Sequence, residues 1–147
     1  MNGVPLELSA EECLDRLRAG SIGRIAFLTP GGVRIVPVNY SVADKRIVVR
    51  TSPYSELASY ASNSPAAFEL DRIDEETRSG WSVVATGRLR QVTDREEIER
   101  IRRDADPEPW AAGSRALYLC LHWRDLSGRR LEGADRRDAG LQTRTHA

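Results

Sequence analysis

Residues 46–57 read RIVVRTSPYSEL, and within them Arg50, Thr51, Ser52 and Ser55 bring one guanidinium and three hydroxyls to the end of the apolar run Ile47, Val48, Val49. Those residue types at that spacing suit an anion. Ser52 is a favoured N-cap, Pro53 suits the first helical position and Ser55 the third, so the pattern predicts a helix over 53–61 that starts where a strand ends. The first N–H groups of a helix have no partner within it, which makes such a start receptive to phosphate. Any basic contact there falls to a guanidinium, because Lys45 is the one lysine among 22 basic residues. The planar fork of arginine matches phosphate oxygens in pairs.

Other chemistry has little to work with. His122 and His146 are the two histidines, and Cys13 and Cys120 the two cysteines, none of them in a spacing that suggests a triad, a metal centre or a disulfide framework. His122 falls in an alternating strand pattern, where a structural role is expected. Asp71, Asp74, Glu75 and Glu76 form an acidic cluster that reads as a solvated hairpin tip rather than a metal site.

The elements that must position the anion site follow from periodicity. A helix over 9–19 opens with a capping box, Ser9 and Glu12, flanked by Leu8 and Cys13 at the staple positions, and Gly20 ends it. Strand-like runs follow: SIGRIAFLT, GGVRIVPVNYSVA, KRIVVRT, PAAFELDRI, WSVVATGRLRQV and RALYLCLHW. The turns TPGG and ADKR join the first three as a meander, and DRIDEETRSG reads as a longer polar hairpin loop. A further helix over 94–104 is opened by Thr93 and Glu96. The order helix, three strands, helix, two strands, helix, strand is no βαβ repeat; it points to an antiparallel barrel with helices at its ends.

At 147 residues the chain suits one domain, which buries roughly two thirds of the surface its unfolded chain exposes. Its 22 basic and 22 acidic residues give no net field for a polyanion, so nucleic acid is not an expected partner. No apolar run approaches the ~20 residues of a membrane span and MNGVPLELSAEE lacks the character of a signal peptide, so no membrane partner is expected and the chain is expected in the cytoplasm. Residues 132–147 carry little apolar content and are expected to form a disordered polar tail to a domain spanning 1–131.

Taken together, VRIVPVNYSV, RIVVRTSPYSEL, GWSVVATGRL and the late HWRDLSGRRL resemble the pyridoxamine 5'-phosphate oxidase-like family of flavin-binding split barrels, over roughly 7–131. The resemblance implies a mainly β fold with peripheral helices, a six-stranded antiparallel split β-barrel that forms a homodimer, with FMN, or a deazaflavin in some branches, in the groove between subunits. It places Val36, Pro37, Val38 and Asn39 beside the flavin ring. It gives the ribityl phosphate to Arg50, Thr51, Ser52 and Ser55, and brings Trp81 and Ser82 to the cofactor from another strand. Trp81 and Trp123 are candidates to cover the apolar edges between subunits.

The chain departs from that pattern at one position. Members that hold FMN phosphate commonly carry a basic residue, often Lys, where this chain has Glu56 between Ser55 and Leu57. Like charges a few ångströms apart cost on the order of 1 kcal/mol near a surface. The expected function is a flavin-dependent oxidoreductase acting on a small-molecule redox substrate, with the redox chemistry carried by FMN. The alternatives are a deazaflavin-dependent reductase, a non-catalytic flavin- or haem-binding module in which His122 would matter only for haem, and a cofactor-free barrel, to which Glu56 points. The residues do not define a catalytic group or a substrate.

Overall fold

The computed structural model describes residues 3–60, 63–110 and 115–133. In chain order the elements are β1 (Pro5–Glu7), α1 (Ala10–Ala19), β2 (Ile22–Thr29), β3 (Gly32–Ala43), β4 (Arg46–Thr51), α2 (Glu56–Tyr60), β5 (Ser64–Asp74), β6 (Ser79–Gln91), α3 (Arg95–Asp104) and β7 (Leu117–Leu131). The fold is mainly β, as the sequence leads one to expect. All the strand pairs are antiparallel, in the order β1-β7-β4-β3-β2-β5-β6, and β6 returns to pair with β7. Six strands thus close a ring, and the short β1 adds a seventh strand along the far end of β7. Nothing in PLE signals that strand, since all three residues are exposed and it exists only by pairing with Arg129, Arg130 and Leu131.

Alternation builds the core. In β2 the residues Gly23, Ile25 and Phe27 turn inward, in β6 Val83, Ala85 and Leu89, and in β7 Leu119 and Leu121. The register of β6 on β7 shifts between Thr86 and Gly87, where Arg124 of β7 is the extra, unpaired residue of a bulge. A β-carbon on Gly87 would lie 2.0 Å from the His122 carbonyl oxygen, so only glycine lets the two strands meet there.

The helices cap the barrel. At α1 both arms of the capping box form: Ser9 Oγ accepts from Glu12 N at 3.1 Å and Ser9 N donates to Glu12 Oε1 at 3.0 Å. The buried Leu8 and Cys13 both pack over Gly128. Tyr40 of β3 reaches this helix, its buried hydroxyl donating to Leu17 O at 2.6 Å, and burial raises its pKa to about 12. At α3 the expected start shifts by one residue: Asp94, not Thr93, is the N-cap, because its carboxylate accepts from Glu96 N at 3.3 Å. Glu97 fastens this helix to the barrel by pairing with Arg46 of β4 and, at 2.9 Å, with Arg90 of β6. Burial works against ionisation of Glu97, but the two arginines outweigh it and hold its pKa below the usual carboxylate value.

The acidic hairpin is shorter at its tip than expected, since β5 runs to Asp74 and β6 starts at Ser79. Asp74 Oδ1 accepts from Glu76 N and Thr77 N in the turn, while Asp71 lies in the strand 3.5 Å from Arg24. Residues 134–147, most of the expected tail, lie outside the described residues. Among the described residues no helix is long and apolar enough to cross a membrane.

Candidate functional site

The barrel is split between β3 and β4. These strands pair only over Tyr40–Ala43 and Arg46–Val49. Beyond that point β3 continues along β2, whereas Arg50 and Thr51 of β4 continue along β7, opposite Tyr118 and Leu117. The parting edges open a cleft of about 280 Å³ lined by Val36, Pro37, Val38, Asn39, Arg50, Thr51 and Ser55, together with Phe27, Glu56, Leu57, Pro109 and Arg115. Tyr40 N donates to Ser21 O on the β2 side, so by alternation the main chain of Asn39 and Pro37 faces the split. Proline at that position gives up an N–H that no neighbouring strand would have received.

Each wall carries groups suited to a polar ligand. The backbone N–H of Trp110 donates to Asn39 Oδ1 at 3.0 Å. That contact can be made only to the amide oxygen, which leaves the buried Nδ2 without a hydrogen-bond partner among the described residues. A buried unpaired donor costs about 1–3 kcal/mol, a cost that an acceptor brought against Asn39 would relieve. On the opposite wall Thr51 Oγ1 and Ser55 Oγ lie 2.8 Å apart, and Ser55 Oγ also accepts from Ala58 N at 3.0 Å. Two hydroxyls sharing one bond keep one O–H free to donate.

Arg50 is held on three sides. Its Nε donates to Arg115 O at 3.1 Å, its Nη1 lies 3.4 Å from Asp106 Oδ1, and its guanidinium carbon stands 5.3 Å from the centre of the Tyr118 ring. The Tyr118 hydroxyl donates to the same Asp106 oxygen at 2.9 Å. Among the described residues these contacts leave Nη2 and one Nη1 hydrogen without a partner.

The helix start differs from the sequence expectation. α2 begins at Glu56 and its N-cap is Ser55, not Ser52. Ser52 instead closes the preceding turn: its Oγ accepts from Tyr54 N at 3.2 Å and its carbonyl from Ser55 N at 3.1 Å. A hydroxyl spent on its own turn cannot also cap the helix, which shifts the start by three residues. Ser52 accordingly lies beside the cleft and not in its lining. Glu56 does line it, and its carboxylate is paired at 3.2 Å with Arg34 of β3. Arg34 does not itself line the cleft and meets it only through Glu56, a pairing for which its alternation with Val36 and Val38 in VRIVPV was a usable signal. Pro109 and Arg115 had none, because they reach the cleft from a connection about sixty residues away.

Trp81 and Ser82 are placed elsewhere on the chain. They line a second, larger cleft of about 560 Å³ with Pro5, Ile73, Gly80 and Arg129. Trp81 and Trp123 are half-buried and pack on the core, and the Arg16 guanidinium stands 5.2 Å from the Trp81 ring. His122 is exposed and lies outside the first cleft.

The family model for pyridoxamine 5'-phosphate oxidase matches residues 9–130, which includes every strand of the closed ring except the last residue of β7. The chain belongs to the pyridoxamine 5'-phosphate oxidase-like family. Among its relatives, the uncharacterized protein Rv0080 of Mycobacterium tuberculosis is 33% identical over 107 residues, covering 69% of this chain and 70% of that one. The FAD binding protein of Mycobacterium smegmatis has a similar structure with a TM-score of 0.72 at 30% identity, over 86% of this chain and 98% of its own. A Corynebacterium glutamicum protein provisionally named pyridoxamine 5'-phosphate oxidase gives a TM-score of 0.77 at 26% identity, over 92% and 99%.

Proposed function

We propose that the protein is a flavin-dependent oxidoreductase of this family, with the flavin held in the β3/β4 cleft. The observation that carries the reading is that one cleft gathers Val36, Pro37, Val38, Asn39, Arg50, Thr51 and Ser55, seven of the residues that the family resemblance assigns to a flavin. The groups fit such a ligand: an apolar wall with an amide donor for a ring system, and a guanidinium and a free hydroxyl for a phosphate. The FAD binding protein of M. smegmatis, at 30% identity, supports a flavin over other cofactors. The sequence reading names FMN, whose single phosphate is the least that Arg50, Thr51 and Ser55 require.

A bound flavin would supply the electron transfer, and the chain would supply orientation, desolvation and charge. Val36, Val38 and Phe27 exclude water from one side of the cleft. Asn39 would lie beside the ring, and Arg50 with Thr51 would hold the phosphate. The expected arrangement is a homodimer in which the second cleft, with Trp81 and Ser82, comes from the partner subunit and completes the groove. The β2–β3 hairpin offers a surface for that association, because Leu28, Val33 and Ile35 are 50%, 67% and 65% exposed on it, with Leu28 directly opposite Val33.

Quenching of free flavin fluorescence on titration with the purified protein, together with the visible spectrum of the complex, tests the reading. Saturable quenching by one flavin per chain is the expected result. No quenching with FMN or FAD at high micromolar protein would refute it and favour a cofactor-free barrel.

A further inference from the structure

We propose that the chain carries a second ligand site, apart from the β3/β4 cleft: a pocket between α1 and the β5–β6 pair that binds a small organic monocarboxylate through Arg16 and Arg72. This site does not depend on the flavin reading. The pocket, about 240 Å³, takes Asp15 and Arg16 from the helix and Leu70, Asp71, Arg72 and Trp81 from the strands. Alternation places them there. Phe68 and Leu70 turn into the barrel, so Arg72 and the residue opposite it, Trp81, continue that inner row to the barrel end that α1 covers.

The first observation is an orphaned donor. Among the described residues two buried side-chain polar atoms lack a hydrogen-bond partner: Asn39 Nδ2, already placed at the β3/β4 cleft, and Arg16 Nε. Arg16 is half-buried, its Nη1 donates to Glu12 O at 3.4 Å, and its guanidinium carbon stands 5.2 Å from the centre of the Trp81 ring. A ring face eases the burial of a cation but gives Nε–H no in-plane acceptor. The second observation is a missing counter-ion. Among the described residues neither Arg16 nor Arg72 has a carboxylate at ion-pair distance, whereas Arg24 has two, Glu69 at 3.1 Å and Asp71 at 3.5 Å. Glu12, one turn earlier on the helix, is engaged by Ser9 N. A carboxylate meets both needs, because its two oxygens match the edge of a guanidinium formed by Nε and one Nη. A small turn of the Arg16 side chain, which no ion pair resists, presents that edge to the pocket.

Charge and size narrow the ligand. Asp71 is offset by Arg24, so Asp15 set against Arg16 and Arg72 leaves one positive charge to be met, and a dianion would bring the second charge against the two aspartates. The volume is below the ~300–1,000 Å³ usual for drug-sized ligands, and Leu70 and Trp81 offer an apolar floor, so the fitting ligand is a compact acid with an apolar body.

Benzoate is the probe, with benzamide as its uncharged counterpart and inorganic phosphate as an anion of higher charge, each titrated into the full chain by calorimetry near neutral pH. Wild type is expected to bind one benzoate per chain with a dissociation constant on the order of 1 mM, and benzamide and phosphate at least about tenfold more weakly. Arg16→Gln should weaken benzoate about tenfold, and Arg16→Lys, which keeps the charge and loses the planar edge, should not restore it. Arg72→Gln, at an exposed position with no partner to lose, should weaken benzoate severalfold. Arg50→Ala, which alters the other cleft, should leave benzoate affinity as it is. No saturable benzoate binding, benzamide or phosphate bound as tightly, affinity unmoved by Arg16→Gln and Arg72→Gln, or affinity lost in Arg50→Ala would each overturn the inference. None of these results touches the flavin reading, which is measured by quenching of flavin fluorescence.

Discussion

Arg50 is the residue on which the account turns. Its guanidinium is fixed by Arg115 O, Asp106 and the Tyr118 ring, so it offers its remaining hydrogens at little entropic cost. Arg50→Ala should weaken flavin nucleotides roughly ten- to a hundredfold, the equivalent of a charge-assisted bond of about 1.5–3 kcal/mol, while chemical denaturation midpoints change little. Arg34→Ala probes the other pair. It leaves the Glu56 carboxylate facing the cleft alone, so flavin nucleotide affinity should fall severalfold and the loss should be recovered in R34A/E56Q. Equal affinities in wild type and R34A would show the Arg34–Glu56 pair to be a surface contact without influence on the cleft. At this scale the local motif was legible, because RTSPYSEL carries its chemistry in neighbouring residues. Asp106, Pro109 and Arg115 were not, because tertiary folding alone brings the connection between α3 and β7 against Arg50.

The elements were readable where local hydrogen bonds decide them and less so where those bonds compete. Ser9 and Glu12 specify α1 without ambiguity, since both arms of the box form. In SPYS two serines could each cap a helix; Ser52 closed a turn and Ser55 took the cap, which left α2 only five residues long. β1 was invisible because its three residues have no alternation and depend wholly on β7. The attachment of α3 rests on Glu97, whose pairing with Arg46 and Arg90 is largely shielded from water on the Arg46 side, where the side chains are 17% and 14% exposed. Glu97→Ala leaves Arg46 shielded without its partner and should destabilise the fold by on the order of 3 kcal/mol. Glu97→Gln, which retains a hydrogen-bond acceptor, should lose less. Urea denaturation of both variants checks this, and a loss below about 0.5 kcal/mol in Glu97→Ala would mean that α3 is held by Ile98 and Ile101 packing alone.

For the whole molecule the barrel was legible in the count and spacing of strands, and its closure by β6 on β7 was not, since that pairing runs past a bulge at Arg124 of β7, opposite Gly87, and along a strand that continues to Leu131. Two predictions belong at this scale. Sedimentation is expected to show a dimer, and Ile35→Asp, which puts a charge in the exposed β2–β3 patch, should shift it toward monomer; a monomeric wild type at tens of micromolar would remove the shared groove from the account. The second concerns acid–base stability. Glu69 has its pKa pushed up to about 7 by burial and then by Asp71, against the opposing pull of Arg24. A carboxyl raised in the folded state binds more protons there than in the unfolded chain. Its contribution is therefore full below its ordinary value of 4.5 and is lost as pH rises toward about 7. Glu69→Gln should flatten that part of the stability profile, and an unchanged profile would assign the pH dependence to other groups.

The central claim is that the β3/β4 cleft recognises a flavin through a phosphate fixed by Arg50. The most direct measurement compares riboflavin, which lacks the phosphate, with the flavin nucleotide that binds most tightly, in wild type and in Arg50→Ala, by fluorescence quenching at fixed ionic strength. The account predicts that the nucleotide binds wild type at least about tenfold more tightly than riboflavin and that this advantage largely disappears in Arg50→Ala. Riboflavin bound as tightly as the nucleotide, or an advantage that survives the loss of Arg50, would contradict it.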